Sequence, residues 1–393
     1  MKKNPLMRLH GFGQSIWLDC LRRGMLVSGE LQRLIDEDGL RGVTSNLSIF
    51  ERAMDGSQDY DDAIRALAVD RKSVHEIYQA LTIEDVKRAA DLLYPIYENT
   101  GGRDGFVSLE VSPHLAYDTN SSIARARELW NGLDRPNVMI KVPATREGLP
   151  AIQQLISEGI NVHVTLLFGL LRYREVVDAY LRGMMVRAAR GQSLEQVASV
   201  ASFFLSRIDA LVDPMLEPLI GASGSNAEIA TATHGQVAIA SAKVAYQIWD
   251  EIFGGVRFGQ LAAQGAAPQR LLWASTSTKN PEYSDVQYVE ALIGPETVNT
   301  LPLETLNAYR DHGDPAPRLE EDGEEALQVL HHLAGLDIDL GKATQQLEDE
   351  GVQKFINSFD RLMDTLEMKR AAALGEAMDS QWLDLKERLA TSQ

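Results

Sequence analysis

The residues of this chain that could do chemistry stand at the ends of short apolar runs. The run Val138-Met-Ile-Lys-Val142 holds a lysine inside otherwise apolar sequence. An ammonium buried there must find partners or give up its proton, because an unpaired buried charge is costly. Burial and nearby cations lower a lysine pKa, and the free amine can then attack a carbonyl carbon to form an imine. Comparable runs span 15–19, 42–46, 106–111, 162–167, 200–205, 271–276 and 297–302. At or near their ends, this set and the lysine run present Asp19, Asn46, Glu110, Lys141, Thr165, Ser202 and Ser275.

Side-chain alternation along a strand sorts these residues by face. Val107, Leu109 and Val111 share one face of the third run, which leaves Ser108 and Glu110 on the other. In the fourth run Val138, Ile140 and Val142 face one way, Met139 and Lys141 the opposite way. The same rule groups His163, Thr165 and Leu167, aligns Val200, Ser202 and Phe204, and sends Trp273 the same way as Ser275. If the apolar faces pack on helices, the polar set converges on one interior. A structural ion pair of Lys141 with Glu110 or Asp19 explains a buried lysine as well as catalysis does. Two carboxylates plus hydroxyl and amide groups around one lysine favour catalysis, since imine chemistry needs proton shuttles.

The elements that must hold this set alternate strand and helix eight times. Near-continuous apolarity suits strands buried on both faces, and the repeat argues for an α/β protein, a (β/α)8 TIM barrel, over an open sheet. Helical spacing is clear in Val86, Ala89, Ala90 and Leu93, following an expected capping box at Thr82–Asp85. It recurs between Leu170 and Arg190, with Tyr173, Val176, Val177, Tyr180 and Met184 along one side. Two stretches exceed a minimal barrel. One is a helical insertion before the seventh strand, about 208–266, with a GASGSN break and a long helix near 227–253. The other is a charged helical C-terminal extension, 313–393, packing as helices on a barrel of 1–312.

Composition narrows the classes of function. The chain has 393 residues, 45% hydrophobic and 24% charged, with a formal net charge of −18. That field disfavours nucleic acid and anionic membrane as partners, while a few placed cations can still hold a small phosphorylated ligand. No apolar run reaches the ~20 residues that span a bilayer. Cys20 is the single cysteine, which excludes an intrachain disulfide and, with no apolar segment behind the N-terminal lysines, fits the cytoplasm.

The segments SIWLD, GVTSN, SLEVSP, IKVPAT, VTLLF, SFFLSRID and WASTSTKNP, in this order between about Gln14 and His312, resemble the transaldolase family. EVSPHLAYDT and the helix before the seventh strand are similar to its larger bacterial form. The resemblance implies transfer of a dihydroxyacetone unit from sedoheptulose 7-phosphate or fructose 6-phosphate to an aldose phosphate. That aldose is glyceraldehyde 3-phosphate or erythrose 4-phosphate, in the non-oxidative pentose phosphate pathway. It makes Lys141 the Schiff-base lysine and Asp19 the acid/base at the C4 hydroxyl. Glu110 and Thr165 become the pair that holds a water and shuttles protons. Asn46 and Ser202 would bind the dihydroxyacetone part, with Phe204 beside the reaction centre. Arg207 and Ser275 would contact phosphate. One position departs from the family's pattern: Lys279 stands where an arginine is common, and it can act as a point charge but not as a bidentate fork. No metal or other cofactor is expected, because the imine does the work of a Lewis acid.

Two other readings stand beside transfer: a fructose-6-phosphate aldolase with the same lysine that releases free dihydroxyacetone, and a non-catalytic sugar-phosphate-binding barrel. Of the remaining candidates, His331-His332 reads as surface, His163 as a bonded core residue and Cys20 as packing. His114, in the loop after Glu110, is a weaker candidate for substrate contact. The oligomeric state is not legible in the sequence.

Overall fold

The computed structural model of the protein describes residues 4–390. Eight parallel strands close into a barrel in sequence order. They are β1 (Gln14–Leu18), β2 (Gly42–Thr44), β3 (Phe106–Glu110), β4 (Val138–Pro143), β5 (Val162–Leu167), β6 (Ser199–Phe204), β7 (Arg270–Ala274) and β8 (Thr297–Leu301). β8 returns to β1 in continuous register from Gln14 opposite Thr297 to Leu18 opposite Leu301. Every strand residue is buried. That is why the sequence shows apolar runs rather than half-polar alternation. Among the described residues no helix is long and apolar enough to cross a membrane.

The barrel interior is filled in layers. At its floor Arg270 donates to Asp104 at 3.1 Å, to Ser15 Oγ at 2.7 Å and to the Thr297 carbonyl at 2.7 Å. Above it Trp17 lies 6.5 Å from the His163 ring and 6.3 Å from Phe106. Gly42 makes this possible, since a Cβ there would fall 2.5 Å from the Trp17 indole. Trp17 is therefore the interior tryptophan, and the expectation for Trp273 is corrected. β7 starts on Arg270, which points inward, so Trp273 points outward, against Phe203 and with its indole N–H on the Leu292 carbonyl.

A second correction concerns β5. Leu166 adopts a left-handed conformation (φ 57°), and the register with β6 shifts between Val164 and Leu167. Leu167 consequently pairs with the outward Phe203 and does not share the face of Thr165.

The helices hold two further departures. Thr82 caps nothing: it lies inside the helix Val74–Asn99, and its hydroxyl donates to the Tyr78 carbonyl. The capping box belongs to Ser73 and Glu76, two turns earlier, while Val86, Ala89, Ala90 and Leu93 are buried as their spacing predicts. The long helix near 227–253 is two helices, Ser225–Thr233 and Val237–Phe253, divided at His234-Gly235. Gly235 has φ +71°, a conformation that ends a helix and that glycine reaches without strain.

The helix Leu340–Ala390 crosses the mouth at the C-terminal ends of the strands. Arg172, just after β5, pairs with its Glu348 at 3.1 Å, and Glu51, just after β2, takes its Arg361 at 2.6 Å. Phe359 stands edge-on to Tyr78 with ring centres 5.4 Å apart. The mouth is thus covered along one side by a segment distant in sequence.

Candidate active site

Register places the central pair. Glu110 ends β3 directly opposite Lys141 on β4. Lys141 Nζ donates to Glu110 Oε1 at 3.3 Å and to the Ser45 carbonyl at 3.1 Å, with both side chains buried. Burial pushes the Glu110 carboxyl above its usual range; Lys141 pulls it back and Asp19 adds to the rise.

Asp19 follows β1. Thr44 Oγ1 donates to its Oδ1 at 2.8 Å and Asn46 Nδ2 to its Oδ2 at 3.2 Å. The Thr300 hydroxyl lies 2.9 Å behind Thr44. Asn46 also caps the helix Leu47–Gly56 by accepting the Ser48 N–H, which fixes the amide that faces Asp19.

Lys141 stands between two spaces of different size. One is an open cavity of about 610 Å³ lined by Asp19, Asn46, Lys141, Ser202, Phe204, Arg207, Ser275 and Lys279. The other is a small space of about 10 Å³ between Glu110, Lys141, Thr165 and Leu166, lined also by Val352 and Phe355. That volume suits a single water. The Thr165 hydroxyl is buried there without a protein partner. The other nine candidate residues thus meet around Lys141, seven on the side of the larger cavity and Glu110 and Thr165 on the side of the small space.

His163 is a core residue, as expected. Its Nδ1 lies 3.0 Å from Ser108 Oγ and its Nε2 2.5 Å from Ser202 Oγ. Burial first, then Lys141, holds its pKa well below the usual value, so the ring is neutral and orients the Ser202 hydroxyl. His114 does not line either cavity: its Nε2 meets Asp360 at 2.7 Å, tying the C-terminal helix to the loop after β3. Cys20 packs on Met25 with its sulfur 3.7 Å away, and burial raises its thiol to about 11.

At the far wall Arg207, in the first turn of the helix Ser206–Ile220, lies 5.6 Å from the centre of the Phe204 ring. Ser275 sits just past β7 with φ 55° and its hydroxyl 2.8 Å from that of Ser206. Lys279 donates to Ser277 Oγ at 2.9 Å. Burial and the neighbouring Arg207 lower the Lys279 pKa, while Glu304 raises it.

The sequence reading missed Thr44, Ser45, Thr300 and Phe355. Thr44 shares parity with Asn46 and was within reach of the alternation rule. Ser45 acts through its carbonyl and Phe355 through the path of a distant helix, so neither leaves a local signal.

Residues 16–366 match the transaldolase/fructose-6-phosphate aldolase family. The chain belongs to that family. It is 47% identical over 373 residues to the transaldolase of Trichodesmium erythraeum, covering 94% of this chain and 98% of that protein. Against the transaldolase of Thiobacillus denitrificans it is 48% identical over 351 residues, 89% of this chain and 96% of the other. The transaldolase of Saccharopolyspora erythraea is 46% identical over 362 residues, with 92% and 96% covered. Membership in the family agrees with the closed eight-stranded parallel barrel.

Proposed function

We propose that this protein is a transaldolase acting through a Schiff base at Lys141. The observation that carries the reading is the position of Lys141 between the open cavity with Asp19 and the one-water cell with Glu110 and Thr165. The relatives named above support transfer as the reaction.

The geometry supports the following sequence. Lys141 passes a proton to Glu110, whose raised pKa makes it a better acceptor than an ordinary glutamate. The free amine attacks C2 of the ketose phosphate, and the carbinolamine loses water toward the cell between Glu110 and Thr165. The iminium so formed is an electron sink. Asp19, held by Thr44 and Asn46, takes the C4 hydroxyl proton, and the C3–C4 bond breaks as its electron pair enters the iminium system. The aldose phosphate leaves, and the three-carbon enamine stays on Lys141. An acceptor aldose phosphate then adds at its carbon, with Asp19 returning the proton to the new hydroxyl. Water from the side of Glu110 and Thr165 hydrolyses the iminium so formed, releasing the new ketose phosphate and freeing Lys141. Asn46 and Ser202 hold the dihydroxyacetone part, and Arg207, Ser275 and Lys279 receive the phosphate. Among donors we favour sedoheptulose 7-phosphate and fructose 6-phosphate, in cytoplasmic sugar-phosphate interconversion.

Transfer and simple cleavage share this site up to the enamine. Incubation with fructose 6-phosphate, with and without erythrose 4-phosphate, separates them. Transfer predicts that glyceraldehyde 3-phosphate appears at speed only when the acceptor is present. Turnover at the same rate without acceptor makes the protein a fructose-6-phosphate aldolase, and no turnover with either makes it a binding barrel.

A further inference from the structure

The open cavity gathers more positive charge than the sequence reading supplied. Arg207 and Lys279 come from the barrel, but Lys354 also lines it, from the helix Leu340–Ala390 that crosses the mouth. Among the described residues none of these three is within ion-pair distance of a carboxylate, in a chain of net charge −18. Asp19, Asp59 and Glu304 line the same cavity; Glu304 acts on Lys279 and Asp19 on Arg207 from a distance. Arg22 also lines the cavity but is paired with Glu30 at 3.1 Å. Arg207 and Lys354 both act electrostatically on Lys279, and all three line this one cavity, as does Arg52 on the helix after β2. Like charges gathered without a directly paired carboxylate repel one another, and a dianionic group between them offsets that cost.

The helix is built to bring Lys354 there. A Cβ on Gly351 would sit 3.0 Å from Leu166 Cδ2, and 3.7 Å from both Phe168 and the Arg207 guanidinium. Glycine at 351 therefore lets the helix lie against the strand ends. One turn later, at i+3 and i+4 on the same side, come Lys354 and Phe355. Phe355 walls both the open cavity and the one-water cell, and Val352 is buried against the cell. The stretch 351–355 thus closes the site on one side and carries a free ammonium at its rim.

We propose that Lys354 is the third cation of the substrate's phosphate subsite, which makes the C-terminal helix part of the active site. Lys354 then works with Lys279: two point charges, one from the loop after β7 and one from the C-terminal helix, take the place of one bidentate fork. This inference rests on the transaldolase reading for its substrate, but the phosphate contact can be tested apart from turnover.

The test compares wild type with Lys354→Ala, Lys354→Glu and Lys354→Arg in the full chain. For Lys354→Ala the KM for fructose 6-phosphate is expected to rise about tenfold with kcat little changed, the size of one charge-assisted hydrogen bond. Lys354→Glu raises it further, and Lys354→Arg restores it to within about threefold of wild type. With unphosphorylated fructose as donor, wild type and Lys354→Ala should have the same kcat/KM. Direct titration with inorganic phosphate should show the same loss of affinity in Lys354→Ala and Lys354→Glu. An unchanged KM for the phosphorylated donor with unchanged phosphate affinity overturns the proposal. So does a parallel loss with fructose, which marks a packing effect. If wild type transfers nothing, the transaldolase reading fails, and the phosphate titration still decides whether Lys354 binds the anion.

Discussion

The barrel holds two buried cations, one near each end, and they are treated differently. Arg270 at the floor is surrounded by acceptors: the Arg103 and Thr297 carbonyls, Asp104 and Ser15. Lys141 at the mouth has two partners, Glu110 and a carbonyl, and opens on a cavity at either side. A guanidinium cannot give up its proton in a protein, so surrounding both of its terminal nitrogens with acceptors builds a permanent structural charge. An ammonium can give up a proton, and a neighbouring carboxyl with raised pKa gives that proton somewhere to go. The two sites show that a buried ion pair is structural or chemical according to what else its members touch.

Substitutions at the two ends should therefore fail in different ways. The largest effect is expected at the mouth: Lys141→Met should lower transfer by ~10⁴-fold or more while leaving thermal stability near wild type. Steady-state assay beside calorimetry checks both halves. At the floor, Arg270→Met leaves Asp104 buried without its cation and should cost about 3–5 kcal/mol of stability. The fraction that folds should keep its kcat, so a kinetic defect in folded material would erase the contrast.

Glu110→Gln should reduce kcat by roughly 10²–10³-fold, because proton exchange with Lys141 is lost. In wild type the Glu110 carboxyl is raised, so on acidification it takes up a proton at higher pH than an ordinary glutamate. The acid limb of the rate profile should lie above the usual carboxylate range and disappear in Glu110→Gln. The linked stability has the opposite sense: a raised folded pKa means this residue's contribution weakens as pH rises from the unfolded value through the folded one.

Gly42→Ala pushes a methyl against Trp17 and should cost about 1–3 kcal/mol with little effect on KM. The smallest effect concerns Cys20. Its thiol, raised to about 11 by burial, should alkylate far more slowly at pH 8 than a free thiol, measured by mass spectrometry of the native protein.

Much of the mouth was legible because strand alternation is strict while the strand lasts. Asp19, Glu110, Lys141, Thr165, Ser202 and Phe204 all fall where parity sends them. The rule stops where the backbone leaves the strand. Leu167 escapes it through the left-handed Leu166, and Ser275, at positive φ beyond β7, no longer carries information about Trp273. Reading β7 from Leu271 also hid Arg270, the inward charge that fixes that strand's faces. Ser73-Val-His-Glu76 and Thr82-Ile-Glu-Asp85 both look like helix starts, and local sequence alone does not say which one the chain uses. The long C-terminal helix was legible as a helix, but its path over the mouth depends on contacts such as Arg361 with Glu51, hundreds of residues apart in sequence.

The central claim, that Lys141 holds the three-carbon fragment between two sugars, is tested most directly by trapping. The protein is treated with borohydride in the presence of fructose 6-phosphate, digested, and the modified peptide mapped by mass spectrometry. The account predicts one reduced three-carbon adduct, on Lys141, formed in wild type and absent from Lys141→Met. An adduct on another lysine, or none while transfer proceeds, would contradict it.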